Sequence, residues 1–131
     1  MAGAGLNTLW ALSPERPVAR RVSVAGSFGG RLLGLMGRPH LGADEGLFLP
    51  GTNSIHMLFM RFPIDCLFVG PVREDGSRRV VAMRRRLPPW RGVVWYVRGG
   101  KGVVELPAGT LEAANLSVGD LVRLEENRAG G

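Results

Sequence analysis

Glycine and proline interrupt this chain so often that a long helix has nowhere to form. The 131 residues include 20 glycines and nine prolines, and these cut the apolar stretches into short runs. Glycine inside a helix costs about 1 kcal/mol relative to alanine, and proline about 3 kcal/mol. Short apolar runs between turn residues suit short strands, and many short strands imply a sheet folded on itself. The chain is one ordinary domain in size. With 45% hydrophobic and 21% charged residues it has the make-up of a packed globule.

The runs can be placed one by one. Strands are predicted at Val18–Ala25, Gly46–Leu49, Ile55–Met60, Ile64–Val69, Arg79–Leu87, Gly92–Val97, Val103–Leu106 and Leu121–Leu124. Glu74, Asp75 and Gly76 form a hairpin-like turn, Pro63 marks a bend or an edge, and Pro88 and Pro89 stop a strand. Ser27 can cap a short helix reaching to Met36, with Leu32, Leu33, Leu35 and Met36 as its apolar face and Gly37 and Pro39 ending it. Thr110 can cap one further turn, Leu111 to Leu116, with Glu112 in its first turn. The expected fold is α+β and mostly antiparallel. It is a small closed or half-closed β-barrel with one or two short helices. Residues 1–17 read as an N-terminal extension, 18–125 as a single β-rich domain and 126–131 as a loose tail.

Several classes of protein are disfavoured. No apolar run reaches the roughly 20 residues of a membrane-crossing helix. Met1 to Leu12 has no basic residue ahead of its apolar stretch, so no signal peptide is read and a cytoplasmic location is expected. Cys66 is the only cysteine, which rules out an internal disulfide and a four-cysteine zinc site. No cofactor and no membrane partner are expected.

Charge is unevenly placed. Between Pro71 and Lys101 lie nine basic and two acidic residues, a net of +7, while the rest of the chain sums to −1. Arg78, Arg79, Arg84, Arg85, Arg86, Arg91, Arg98 and Lys101 interleave there with Trp90, Trp95 and Tyr96. Guanidinium groups grip phosphates and aromatic faces stack on bases, so nucleic-acid contact is one reading. A charged edge strand that resists aggregation, or a protein-docking surface, is the plainer one. Alternation puts Arg84 and Arg86 on one face and Val81, Met83, Arg85 and Leu87 on the other.

Two carboxylates stand where carboxylates are expensive. Asp65 lies in Ile64-Asp65-Cys66-Leu67-Phe68, and Glu105 in Val103-Val104-Glu105-Leu106. A buried carboxylate needs a partner, and Arg31, Arg38 and Arg61 are candidates. A structural ion pair fixing a helix on the sheet is the favoured reading. The functional one is a polar cleft with both acids and an arginine such as Arg38, fit for acid–base work or anion binding. Arg31 and Arg38 could also hold an anion beside the first helix. His56, Met57, Met60 and Cys66 form a soft-ligand set suited to Cu(I). One flat strand cannot make all four converge, so core or rim packing is the reading preferred and no metal site is assigned. Cys66 itself reads as a buried, inert thiol.

Order and spacing of several motifs resemble a known family. They are Arg31 with Gly34-Leu35-Met36-Gly37-Arg38, then Gly46-Leu47-Phe48, Ile55-His56-Met57, Pro63-Ile64-Asp65 and Phe68-Val69. Val104-Glu105-Leu106, Ala108-Gly109 and Gly119-Asp120 follow. From about Val18 to Val122 the chain is similar to the bacterial and archaeal family called domain of unknown function 192. The resemblance implies a compact β-rich barrel with short helices and carries over no catalytic residues. Family members commonly read Trp-Met-Lys-Asn-Thr where this chain has His56-Met57-Leu58-Phe59-Met60, so any role of that polar run does not transfer.

Three functions compete. The first is a binding module holding a small ligand or a protein segment in a cleft or at a sheet edge, with Arg31, Arg38, His56, Arg85 and Trp90 as candidate contacts. The second is an enzyme or small-molecule site built on Asp65, Glu105 and a nearby arginine. The third is a nucleic-acid accessory protein using residues 78–101. The first is preferred, with a protein as the expected kind of partner.

Overall fold

The structure is a computed structural model and describes residues 6–25, 41–56, 61–94 and 96–128. Among these residues nine strands run in chain order: β1 (Leu6–Leu12), β2 (Glu15–Val24), β3 (Glu45–Pro50), β4 (Ile55–His56), β5 (Ile64–Val69), β6 (Arg78–Leu87), β7 (Val93–Val94), β8 (Gly102–Pro107) and β9 (Leu121–Glu126). One short helix, α1 (Thr110–Ala114), lies between β8 and β9. Seven strands follow one another in the order β1-β2-β3-β8-β5-β6-β9, and β9 pairs back onto β1 to close a ring. Every neighbouring pair is antiparallel except β2 with β3. β4 and β7 make a separate two-stranded sheet.

Alternation along the strands sorts apolar side chains into two clusters. One draws on all seven ring strands, through Leu9, Val22, Phe48, Val104, Leu67, Val80 and Val122, and is therefore the ring interior. Leu111 of α1 and the following Leu116 join it. The other lies outside the ring on β3, β5 and β8, where Leu47, Leu49, Ile64, Cys66, Phe68 and Val103 pack under Leu41, Phe62, Val94 and Val97. Fully burying a side chain such as Phe68 or Leu67 contributes about 1.5–3 kcal/mol. Close packing also fixes the β3–β8 pairing: a Cβ on Gly102 would stand 2.7 Å from Cε1 of Phe48.

The predicted strands Ile64–Val69 and Arg79–Leu87 are observed within one residue. Other expectations need correcting. The stretch read as an extension supplies β1, which pairs with both β2 and β9. Its Asn7 and Thr8 hid the pattern, because both are buried polar residues. Asn7 donates to the Val22 carbonyl at 3.3 Å, and the Thr8 hydroxyl to Asn127 Oδ1 at 2.7 Å. Those contacts also hold the start of the expected loose tail, since Asn127 donates from its backbone to Leu6 and from its side chain to Arg20. The strand predicted over Gly92–Val97 shrinks to Val93–Val94. Thr110 does not cap α1; the cap position is Gly109, in a left-handed conformation (φ 95°) that favours glycine. The helix expected over Ser27–Met36 and the strand end Met57–Met60 lie outside the described residues.

Candidate functional site

β5 and β8 are adjacent and antiparallel, with Asp65 opposite Leu106 and Cys66 opposite Glu105. Residues opposite one another share a face, and successive residues alternate. Leu106 belongs to the ring interior and Cys66 to the outer cluster. Asp65 therefore faces inward and Glu105 outward. The polar cleft that would have joined the two acids does not form, because a shift of one residue between them changes face.

Asp65 is fully buried and fully engaged. Its Oδ2 accepts the backbone N–H of Gly109 and of Leu111, each at 3.0 Å, and its Oδ1 accepts that of Arg86 at 2.8 Å. Amides at the start of a helix lack intrahelical acceptors, and here a carboxylate from another strand supplies them. The ion pair expected for it is not made among the described residues; its partners there are three backbone amides. The Arg86 side chain turns outward instead, with Nη2 3.6 Å from Oε1 of Glu112.

Glu105 is 6% exposed and stands among apolar neighbours, opposite Leu47 on one side and Cys66 on the other. Among the described residues its carboxyl has no ion pair and accepts no hydrogen bond; of the arginines expected beside it, Arg31 and Arg38 lie outside those residues. Burial pushes its pKa from the ordinary 4.5 up to about 7. A carboxyl in that state can donate a proton to a hydrogen bond or accept one near neutral pH. Burial also pushes the Cys66 thiol well up, the charges of Glu105 and Asp65 adding to it and Arg84 opposing. A thiol so placed stays protonated and is a poor nucleophile.

The remaining candidates are scattered. Arg31 and Arg38 lie outside the described residues, as do Met57, Met60 and the side chain of His56; the His56 backbone pairs with Val93 in the small sheet. No group of three metal-ligating side chains occurs among the described residues. Arg85 is exposed on β6, and Trp90 is 54% exposed just after Pro88 and Pro89. Register shifts interrupt the β5–β6 pairing, so strict alternation along β6 fails. Val81 packs on the outer cluster and Met83 on the inner one, although alternation had placed them together. Arg84, opposite Cys66, is the β6 arginine on the Glu105 side of the sheet. No sequence signal separates it from Arg85 and Arg86.

A ring of short strands with one buried carboxyl among apolar side chains on its outer face defines a small β-rich domain. The chain belongs to the domain of unknown function 192 family, described as "Uncharacterized ACR", whose model matches residues 11–124. It is 36% identical over 117 residues to a UPF0127 protein of Thermococcus sibiricus, covering 83% of this chain and 70% of that one. A UPF0127 protein of Pyrococcus furiosus is 43% identical over 77 residues, 57% of each chain. Among solved structures, a protein of unknown function from Novosphingobium aromaticivorans superposes with a TM-score of 0.72 at 24% identity, over 90% of this chain and 83% of that one. A protein of Sinorhizobium meliloti, named as a candidate transcription regulator, gives 0.70 at 24% identity, over 90% and 91%. These two likenesses establish the fold.

Proposed function

We propose that the chain is a binding module that holds a small ligand over the outer face of β3, β8 and β5, with Glu105 as its polar contact. The observation that carries this reading is the Glu105 carboxyl, buried among apolar side chains with no cation and no hydrogen-bond donor beside it among the described residues. A ligand group hydrogen-bonded to this carboxyl in its charged form would contribute about 1.5–3 kcal/mol. The closed ring acts as a small barrel whose interior is filled by side chains, so a ligand has to sit outside it. Catalysis has less support, since Asp65 faces the other way and is consumed by three amides. Residence in the cytoplasm fits the single, reduced cysteine and remains part of this proposal.

The test is a thermal-shift panel of small amides, carboxylic acids and sugars on the wild type and on Glu105→Leu. Binding to the native state raises Tm by mass action. One chemical class should raise the wild-type Tm and leave Glu105→Leu unmoved. Equal shifts in both proteins, or a large loss of stability in unliganded Glu105→Leu, would contradict a ligand role for Glu105.

A further inference from the structure

The excess positive charge does not neutralise itself. Arg20 pairs with Asp44, Arg21 with Glu45, and Arg123 with Glu15 and Glu125, all outside the basic segment. Within it, Arg78 is half-buried, donates to the Gly70 carbonyl and stacks 5.1 Å from the Phe48 ring centroid. Arg79 donates to the Gly119 carbonyl, and Arg86 alone in the segment forms an ion pair among the described residues, with Glu112. Arg85, Arg91, Arg98 and Lys101 are exposed, and none forms an ion pair among the described residues.

Two exposed aromatic residues lie between these four cations along the chain. Tyr96 is 67% exposed and Trp90 54%. Exposing Tyr96 is a matter of anchoring: Val94 and Val97 on either side are buried in the outer cluster. Backbone hydrogen bonds from Gly92 to Pro88, Val97 to Asn53 and Gly100 to Val97 hold the stretch in shape. Trp90 occupies the left-handed region with φ 69°, a conformation bulky side chains avoid. Strain of this kind persists only where the surrounding structure imposes it, and it gathers at functional sites.

We infer that Arg85, Trp90, Arg91, Tyr96, Arg98 and Lys101 form a contact surface for single-stranded nucleic acid, the four cations meeting phosphates and the two rings stacking on bases. Phosphates reward the cations and base faces reward the exposed rings, so one partner accounts for both. An acidic protein segment would use the charges and leave the aromatic exposure without a reason. This surface is independent of the ligand role of Glu105.

Fluorescence anisotropy with labelled ten-nucleotide oligouridylate and oligothymidylate tests the inference on the full chain. Four phosphate contacts predict an affinity that falls about fifty-fold between 50 and 200 mM salt. Tyr96→Ala should weaken binding at least about five-fold, with Tm unchanged because the ring is exposed. Arg98→Gln should flatten the salt dependence. Preference for one of the two strands would identify the sugar recognised and supports the inference equally. No binding at 50 mM salt would overturn it. So would binding that Tyr96→Ala leaves intact and polyglutamate imitates, since that behaviour belongs to a general polyanion surface.

Discussion

Asp65 and Glu105 sit on neighbouring strands, yet the two faces of the sheet treat a carboxyl in opposite ways. On the inner face Asp65 accepts three amide hydrogens and ties β5 to α1 and to β6. On the outer face Glu105 has apolar neighbours, and its pKa is lifted to about 7. Depth of burial is therefore a poor guide to function. What separates the two is their surroundings among the described residues: Asp65 is held by three amides, whereas Glu105 is set among apolar side chains, where a charge is costly.

That contrast can be broken at either end. The largest effect is expected at Asp65. Replacing it by alanine leaves three amides without their acceptor and should cost about 3–5 kcal/mol in urea unfolding. Asp65→Asn should recover only part of that loss, because its amide nitrogen cannot accept. A cost below 1 kcal/mol would remove Asp65 from the scaffold.

Next in size is the pH dependence at Glu105. Its folded pKa is raised, so the folded state binds the proton more tightly than the unfolded chain. Stability is then fullest below pH 4.5 and falls as pH rises towards and through 7. The loss amounts to about 3 kcal/mol from this group alone. Glu105→Gln should remove that slope, so that the variant's urea midpoint stays level between pH 5 and 8 while the wild type's falls. Smaller again is Glu105→Leu at pH 8, which should stabilise the protein by about 1–3 kcal/mol by replacing an uncompensated buried charge with packing. A destabilised Glu105→Leu protein would mean that the carboxyl has a structural partner. The smallest effect sharpens the comparison from outside. Arg20→Ala removes an ion pair whose side chains are 63% and 40% exposed, and should change stability by less than about 1 kcal/mol.

Much of this was legible in the sequence. The apolar run Ile64–Val69 and the bounded run Arg79–Leu87 carry their strand signals locally, and both strands lie where the runs do. The two acids also stood out, because a carboxyl inside an apolar run is costly wherever the run goes. Their relationship was hidden. It depends on the pairing of Cys66 with Glu105, a register set by contacts 39 positions apart in the chain. Asp65's partners were equally invisible, since backbone amides leave no mark in composition. β1 was missed because its polar residues, Asn7 and Thr8, are buried by bonds to Val22 and Asn127 that no local pattern announces. Along β6 the alternation rule misled at the register shifts, and so the sequence pointed to Arg85 where the structure turns Arg84 towards Cys66.

The most direct test of the account is the carbon-13 NMR titration of the Glu105 side-chain carboxyl, assigned by comparison with Glu105→Gln. The account predicts a midpoint near 7, well above the ordinary 4.5. A midpoint at or below 4.5 would show that the carboxylate is satisfied in the folded protein, and the contrast between the two faces of the sheet would disappear.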